Sequence, residues 1–230
     1  MKIDGNVEPI RVVLPGEPVL METVSGNLGL GPGLSRAEDS IVCTKAGVLM
    51  KKKDSWFVES DEKRYIPVRG ENVVGKVTGR MAEYYRVDIG SAHLAILSFL
   101  AIAGATKKNR LDLNIGDLVY ARISSASRDI EPELECTDYE GKSKEYGKLK
   151  DGFLLKCSLR YCRRLMSPES PIWKLLRERI NLEVAIGSNG RVWFNSGTTR
   201  HTILTYNAIK RSETMTDEEC ETMVSKELDF

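Results

Sequence analysis

The sequence predicts a multidomain, mainly β protein with an α/β C-terminal part, and three observations support this prediction. First, 230 residues exceed the needs of one small domain, and 41% hydrophobic residues can fill buried cores. Second, short apolar runs separated by Gly and Pro turns fill residues 1–140. Third, helical periodicity appears only after that point. We therefore expect three domains, over residues 1–68, 69–140 and 141–230.

The first segment, residues 1–68, is predicted to form a small N-terminal β domain. Apolar runs at residues 12–14, 41–43 and 48–50 are bounded by turn-forming sequences such as Gly31-Pro32-Gly33. Short runs interrupted in this way are typical of strands joined by tight turns.

The second segment carries five apolar runs within about 70 residues, the size and spacing of an OB-type barrel. The predicted strands are residues 73–77, 84–89, 92–99, 118–123 and 134–137. A long polar loop separates the third strand from the fourth.

The third segment combines helical and strand patterns in the order β-α-α-β-β-α, which is the topology of a eukaryotic-type KH domain. The predicted elements are a strand at 153–157, helices at 159–166 and 172–180, strands at 182–186 and 191–194, and a helix from Thr198 or Thr199 to about residue 210. Thr216 followed by Glu219 forms a second capping signal, which predicts a terminal helix.

Charge is sorted along the chain, although the net charge is only +1. Residues 69–128 hold nine basic and five acidic residues, and residues 141–211 hold 15 basic and five acidic residues. Acidic residues dominate residues 129–140 and 212–230. Basic folded segments favour contact with a polyanion such as RNA, whereas charges dispersed over solvated faces would predict no partner.

The candidate RNA-binding residues are Lys107, Lys108 and Arg110 in the long polar loop, together with Arg122 on the next strand. OB folds bind single strands beside such loops, with cations that contact phosphates and aromatic rings that stack on bases.

Three aromatic residues of the barrel, Tyr84, Tyr85 and Phe99, are available for stacking on bases. A barrel of this size also needs aromatic side chains in its core, and for each ring we favour the core.

The turn Gly187-Ser188-Asn189-Gly190 resembles the GxxG loop with which KH domains clamp RNA, but its position differs. A working GxxG loop joins the first two helices, and here that connection is residues 167–170, without glycine. The turn instead joins two strands, so we interpret it as structural, in packing or at a domain interface. An RNA clamp is the alternative.

No metal or cofactor is predicted. The five cysteines form no CxxC pair, and two histidines provide no zinc-site spacing. Glu131, Glu133 and Glu135 would share a strand face and could bind Mg²⁺ for phosphodiester cleavage, although a solvated strand edge explains them equally well. His93 and His201 have no nucleophile at a recognised spacing. We therefore expect no enzymatic activity.

Cysteine usage and the apolar windows predict a soluble protein without membrane contact. An odd cysteine count without a signal peptide suggests reduced thiols inside the cell. The most apolar window, residues 94–105, is shorter than the roughly 20 residues that a membrane helix needs.

Six short motifs follow one another along the chain, at residues 13–17, 31–34, 63–68, 104–110, 116–122 and 187–193. Together and in this order they resemble the S1/KH-domain cap subunits of the eukaryotic RNA exosome, specifically the exosome component 3 family. The family of exosome component 2 is the nearest alternative, and residues 145–149 are similar to it. The third type of cap subunit has no KH domain and is excluded by residues 151–211.

The resemblance implies an N-terminal β domain, an S1-type OB barrel and a KH domain in a non-catalytic cap subunit. Such a subunit sits with other cap subunits on a ring of six RNase PH-like subunits. It guides single-stranded RNA to a 3′–5′ exoribonuclease for RNA processing and degradation, in the nucleus, nucleolus and cytoplasm. A free-standing OB/KH RNA-binding protein in translation or RNA chaperoning is the alternative, and a metal-dependent nuclease is the third hypothesis.

Overall fold

A computed structural model gives the fold of the chain, which divides into two compact units, Met1–Asp61 and Glu62–Phe230. Each unit is considered by itself. The structure describes residues 7–19, 29–37, 40–52, 55–102, 105, 112–127, 129–138, 140–142, 145–167, 170–215, 219–220 and 222–223.

The first unit consists of strands in two small sheets, which confirms the predicted N-terminal β structure. Its strands are β1 (Val7–Val13), β2 (Pro18–Val19), β3 (Gly29–Leu30), β4 (Leu34–Ala37), β5 (Ser40–Cys43), β6 (Gly47–Lys52) and β7 (Ser55–Glu59). The sheet orders are β1-β6-β7-β3 and β2-β5-β4. Val13, Leu49 and Val58 lie at the centre of a shared apolar core.

The second unit begins with a barrel whose five strands match the predicted ones. They are β8 (Asn72–Arg80), β9 (Tyr84–Asp88), β10 (Ala95–Ile102), β11 (Leu118–Ser125) and β12 (Glu133–Cys136). β12 pairs in parallel with β10 and antiparallel with β11, and these two pairings close the barrel. A short additional strand, β13 (Gly147–Leu149), pairs with β11 beyond the predicted end of this domain at residue 140.

On β9 and β10, buried side chains alternate with half-buried or exposed ones, and the buried ones contribute to the barrel core. On β9, Tyr85 and Val87 point inward, and on β10 Leu97 and Phe99 do the same. Tyr65 also belongs to this core, although the predicted N-terminal domain extends to residue 68. The division of the chain after Asp61 agrees with this packing.

The remaining part has the predicted KH order of elements. They are β14 (Phe153–Lys156), α1 (Leu159–Leu165), α2 (Pro171–Arg179), β15 (Glu183–Gly187), β16 (Arg191–Asn195) and α3 (Thr199–Ser212), with sheet order β14-β16-β15. The hydroxyl of Ser158 caps α1 and that of Thr198 caps α3. Leu165, Leu176 and Ile209 lie in the core between the helices and the sheet. Thr216, the predicted start of a terminal helix, is outside the described residues.

Two leucines of β10 give a matched test of the barrel core. Leu97 is fully buried, whereas Leu100 is 54% exposed. We expect Leu97→Ala to lower the free energy of unfolding by about 3 kcal/mol, because it leaves a cavity in the core. Leu100→Ala should change it by less than about 0.5 kcal/mol. Urea denaturation of both variants measures the difference, and equal losses would contradict the inward orientation of Leu97.

Candidate nucleic-acid interface

The predicted RNA-binding loop can be located only through its flanking residues, because Lys107, Lys108 and Arg110 lie outside the described residues. On its C-terminal side, the buried Leu113 donates its amide hydrogen to the Tyr85 hydroxyl at 3.0 Å. Next to it, Asp112 pairs with Arg80 at 3.3 Å. These contacts anchor the end of the loop to the barrel, beside the strand that carries Arg80.

Arg80 lies where the barrel core meets this loop. Its guanidinium is 5.8 Å from the ring centre of Tyr85 and 5.6 Å from that of Phe99. Such a cation over two rings stays charged and partly exposed while its stem packs on aromatic surface. Arg80 is therefore a cation at the edge of the loop that sequence reasoning missed.

The outer face of β9 and β10 presents the polar residues Tyr84, Arg86 and Ser98 beside the apolar Ile96. Tyr84 pairs in register with Ser98, and Arg86 with Ile96. OB folds bind oligonucleotides on the face of these two strands. Arg86 was also missed from the sequence, although its position between the inward-facing Tyr85 and Val87 indicates an outward side chain.

Two of the three candidate stacking residues belong to the core. Tyr85 is fully buried and Phe99 is 6% exposed, and their ring centres lie 4.6 Å apart. Tyr84, by contrast, is only half-buried. It is the aromatic residue of the three that a base could reach.

Arg122 is only 8% exposed, whereas a side chain that contacts RNA has to be accessible from solvent. Its Nη2 atom donates to Glu135 Oε1 at 2.5 Å and to the carbonyl oxygen of Asp138 at 3.3 Å. The guanidinium thus compensates a carboxylate at the barrel wall. This geometry argues against phosphate contact by Arg122, whose assignment to the RNA-binding set stays an untested prediction.

The three glutamates considered as Mg²⁺ ligands occupy different environments. Glu131 lies 3.6 Å from Arg86, and Glu135 pairs with Arg122. Within the part of the chain that the structure describes, no group of three or more His, Cys, Asp or Glu side chains could hold a metal ion. The described contacts of Glu131 and Glu135 are ion pairs with arginines.

The turn at residues 187–190 packs against the barrel. The buried Asn189 side chain donates from Nδ2 to the carbonyl oxygens of Val74 and Ile89, both at 2.9 Å. Its Oδ1 accepts the amide hydrogen of Val74 at 3.2 Å. One side chain therefore bridges β8 and the end of β9 from the KH domain.

The flanking residues of the turn fit the same junction. The amide of Ser188 donates to the carbonyl of Asn72 at 2.8 Å. A Cβ atom on Gly187 would lie 2.7 Å from the amide nitrogen of Val74. Gly190 has a φ of +76°, and a Cβ there would lie 2.7 Å from the carbonyl oxygen of Cys157. Only glycine fits at these two positions without displacement of backbone.

Arg191 adds an ion pair to the junction. Its Nη2 atom donates to Asp88 Oδ2 at 2.7 Å, and Nη1 donates to the carbonyl oxygen of Asp88 at 2.6 Å. Partial burial of Asp88 acts to raise the pKa of its carboxyl, but the hydrogen bonds from Arg191 and Gly90 outweigh it, and the pKa is lowered.

A small apolar cluster completes the junction. Val74 of the barrel packs with Ala185 and Trp193 of the KH sheet. The Trp193 ring also lies against Gly152, where an added Cβ would come within 2.2 Å of it. The turn, the ion pair and this cluster hold the two domains together within one unit, and they support the structural interpretation of residues 187–190.

A β barrel of OB topology followed by a βααββα domain defines the S1/KH class of proteins. Three family models match successive segments. They are the Rrp40 N-terminal domain, described as that of an exosome complex exonuclease, at residues 28–64, the RRP40 S1 domain at 65–147, and a KH domain at 152–200.

Relatives from several eukaryotes match nearly the whole chain. Exosome complex component rrp40 of Schizosaccharomyces pombe is 44% identical, with 92% of this chain and 94% of the relative covered. The RRP40 protein of Drosophila melanogaster is 43% identical, with 88% and 89% covered, and that of Homo sapiens is 33% identical, with 94% and 90% covered. The chain therefore belongs to the RRP40 family of exosome complex components.

A solved structure supports the fold. The crystal structure of a candidate exosome complex RNA-binding protein matches with a TM-score of 0.60 and 20% identity, covering 72% of this chain and 97% of the other. None of the helices among the described residues has both the length and the apolar character required to cross a membrane.

The amide of Asn189 can be tested by a nearly isosteric change. Asn189→Asp replaces the Nδ2 donor by an acceptor that faces two carbonyl oxygens in a buried site. We expect the free energy of unfolding to fall by about 3 kcal/mol. The neighbouring Ser188→Asp is the control and should cost less than about 1 kcal/mol. Thermal and urea unfolding measure both variants, and a fully stable Asn189→Asp protein would contradict the bridging role.

The ion pair between Asp88 and Arg191 predicts a pH dependence. Because the folded pKa of Asp88 lies below its ordinary value of 3.8, the pairing stabilises the protein fully above that pH. The stabilisation is lost as the pH falls through the lower folded value. The stability difference between the native chain and Asp88→Asn should therefore be constant at neutral pH and shrink below about pH 4. A difference that grows on acidification would contradict the lowered pKa.

Proposed function

We propose that this protein is a non-catalytic, RNA-binding cap subunit of the RNA exosome, the subunit labelled component 3. It would guide single-stranded RNA to a 3′–5′ exoribonuclease for RNA processing and degradation. The observation that carries the proposal is membership of the RRP40 family over nearly the whole chain, with the N-terminal, S1 and KH segments in order.

The electrostatics of the barrel fit a guide that does not select sequences. Arg80 pairs with Asp112 at the end of the loop that carries Lys107, Lys108 and Arg110, and Arg86 lies on β9 opposite Ile96 of β10. Cations that contact phosphates position an RNA strand without reading its bases, so many sequences can pass.

The non-catalytic part of the proposal rests on the family relationship. Two of the three glutamates weighed as Mg²⁺ ligands contact arginines, Glu131 with Arg86 and Glu135 with Arg122. One family model is nevertheless described as an exonuclease domain, so activity needs a direct test. The isolated chain with single-stranded RNA and Mg²⁺ should leave the RNA length unchanged, whereas metal-dependent shortening that chelation abolishes would favour a nuclease.

The N-terminal unit offers a surface for assembly with RNase PH-like ring subunits and other cap subunits. Among the described strands β1 is at the edge of its sheet, and Ile10 and Val12 on it and Leu14 just after it are 44%, 72% and 63% exposed. An open strand edge with apolar side chains is typical of a protein–protein contact.

Assembly can be tested through this edge. Val12→Asp with Leu14→Asp should reduce co-purification of ring subunits from native extract at least tenfold, because two charges would be buried in the contact. Ile203→Asp, at a residue 55% exposed on α3, is the control and should leave it unchanged. A native chain that purifies as a free monomer would instead support the free-standing OB/KH protein of translation or RNA chaperoning.

The proposed function also predicts where the protein lies in the cell. We expect the tagged protein in the nucleus, nucleolus and cytoplasm.

The proposed contact between RNA and the polar loop of the barrel predicts a change in the salt dependence of RNA affinity. Replacement of Lys107, Lys108 and Arg110 by alanine should lower the slope of log affinity against log salt by about 2, at about 0.7 per phosphate contact for single strands. The matched control replaces three exposed KH cations, Lys156, Arg163 and Lys174, by alanine. A slope that falls in the control and not in the loop variant would place the RNA on the KH domain instead.

A further inference from the structure

A cavity of about 570 Å³ opens between the barrel and the KH sheet, away from the strand face proposed for RNA. Tyr120 of β11 and Leu149 of β13 line it from the barrel, and Val184 and Trp193 line it from the KH domain. Its volume lies within the range of ligand sites, which occur preferentially where two domains meet. Nothing in the proposed RNA path accounts for this cavity.

The aromatic residues of the cavity do not offer free ring faces. Tyr120 is stacked on Tyr146, with ring centres 5.3 Å apart and planes 14° apart. Trp193 is only 5% exposed, within the apolar cluster of the junction. An occupant therefore meets aliphatic side chains such as those of Leu149 and Val184 together with charged ones, and has little aromatic surface on which a base could stack.

The rim of the cavity carries both signs of charge. Lys150 and Arg177 are exposed basic residues, and Glu145 and Glu183 are exposed acidic residues in the same lining. Lys148, a further basic residue, is bonded to Asp117 at 2.5 Å. A polyanion would gain little at such a balanced rim, whereas a polypeptide segment with side chains of both signs can complement it.

The edge of β15 next to the cavity meets the barrel at its C-terminal end, where the amide of Ser188 donates to the carbonyl of Asn72 at 2.8 Å, and faces the cavity at Val184. Among the described strands β15 pairs only with β16, and the carbonyl of Ile186 points away from that partner, toward the Tyr120 hydroxyl 3.4 Å away. Because backbone direction alternates along a strand, Val184 presents its N–H and C=O groups to the same open side. An added extended segment could pair with this edge.

We propose that this junction cleft is a docking site for an extended segment of a partner protein. The segment would pair with the backbone at Val184 and place an apolar side chain against Leu149. Residues of opposite charge on either side of that anchor would face Arg177 and Glu183. This site is separate from the proposed RNA path and does not require it.

The test is a selection from a displayed library of random 12-residue peptides against the full-length chain. The cleft variant exchanges two charges, Arg177→Glu with Glu183→Lys, and so keeps the net charge. The control variant, Lys174→Glu with Glu83→Lys, makes the same exchange at exposed residues outside the cavity. Melting curves establish that both variants fold, and fluorescence anisotropy measures the affinity of each selected peptide.

We expect selected peptides with an apolar residue between opposite charges, which bind the cleft variant at least tenfold more weakly and the control variant equally well. Backbone N-methylation at alternate peptide amides should also remove binding, since it blocks strand pairing. The proposal is overturned if no selected peptide distinguishes the cleft variant from the native chain. It is also overturned if single-stranded RNA, or a second copy of the chain, is the species whose binding the cleft variant loses. The proposed RNA contact of the loop is tested separately, by the salt dependence of the Lys107, Lys108 and Arg110 variant.

Discussion

The side-chain amide of Asn189 is the interaction on which the arrangement of the second unit depends. It donates to two carbonyl oxygens of the barrel and accepts one amide hydrogen, so all three of these hydrogen bonds cross between the domains. In a buried site such bonds are costly to lose, because the barrel groups would remain unsatisfied. The glycines of the turn, the Arg191 ion pair and the Trp193 cluster all surround this one side chain.

This junction gives the turn that resembles a GxxG loop a structural role. The Asn189 side chain donates to the carbonyl oxygens of Val74 and Ile89, and the Ser188 amide donates to that of Asn72. These groups face the barrel, which favours the structural interpretation of the turn over an RNA clamp. The same junction borders the cavity beside β15, because Ala185 and Trp193 belong both to the apolar cluster and to the cavity lining.

Much of the fold could be predicted from the sequence because local residue patterns determine most of its strands and helices. Alternation along residues 84–89 specifies a barrel strand, and Pro171 specifies where α2 begins. β13 could not be predicted, since three residues beginning with Gly147 carry no strand pattern and are ordered by pairing with β11. The partners of Asn189 could not be predicted either, because 115 residues separate it from Val74.

The candidate site was harder to predict than the fold. The polar loop was found from its cations, yet the position of Arg122 depends on Glu135 across a strand pair. Charge alone does not distinguish an arginine that faces solvent from a buried one that pairs with a partly buried carboxylate. Arg86 was missed although strand alternation indicates its orientation, because no motif marks it.

Hydrogen exchange of two junction amides tests the central claim most directly. The amide of Ser188, bonded to Asn72, and that of Val74, bonded to Asn189, belong to opposite sides of the junction. If the junction unites the barrel and the KH domain, both amides should exchange only with global unfolding, at the same free energy as the core amide of Val77. Exchange of Ser188 and Val74 at a clearly lower free energy than Val77 would show that the domains separate locally, and would contradict the account.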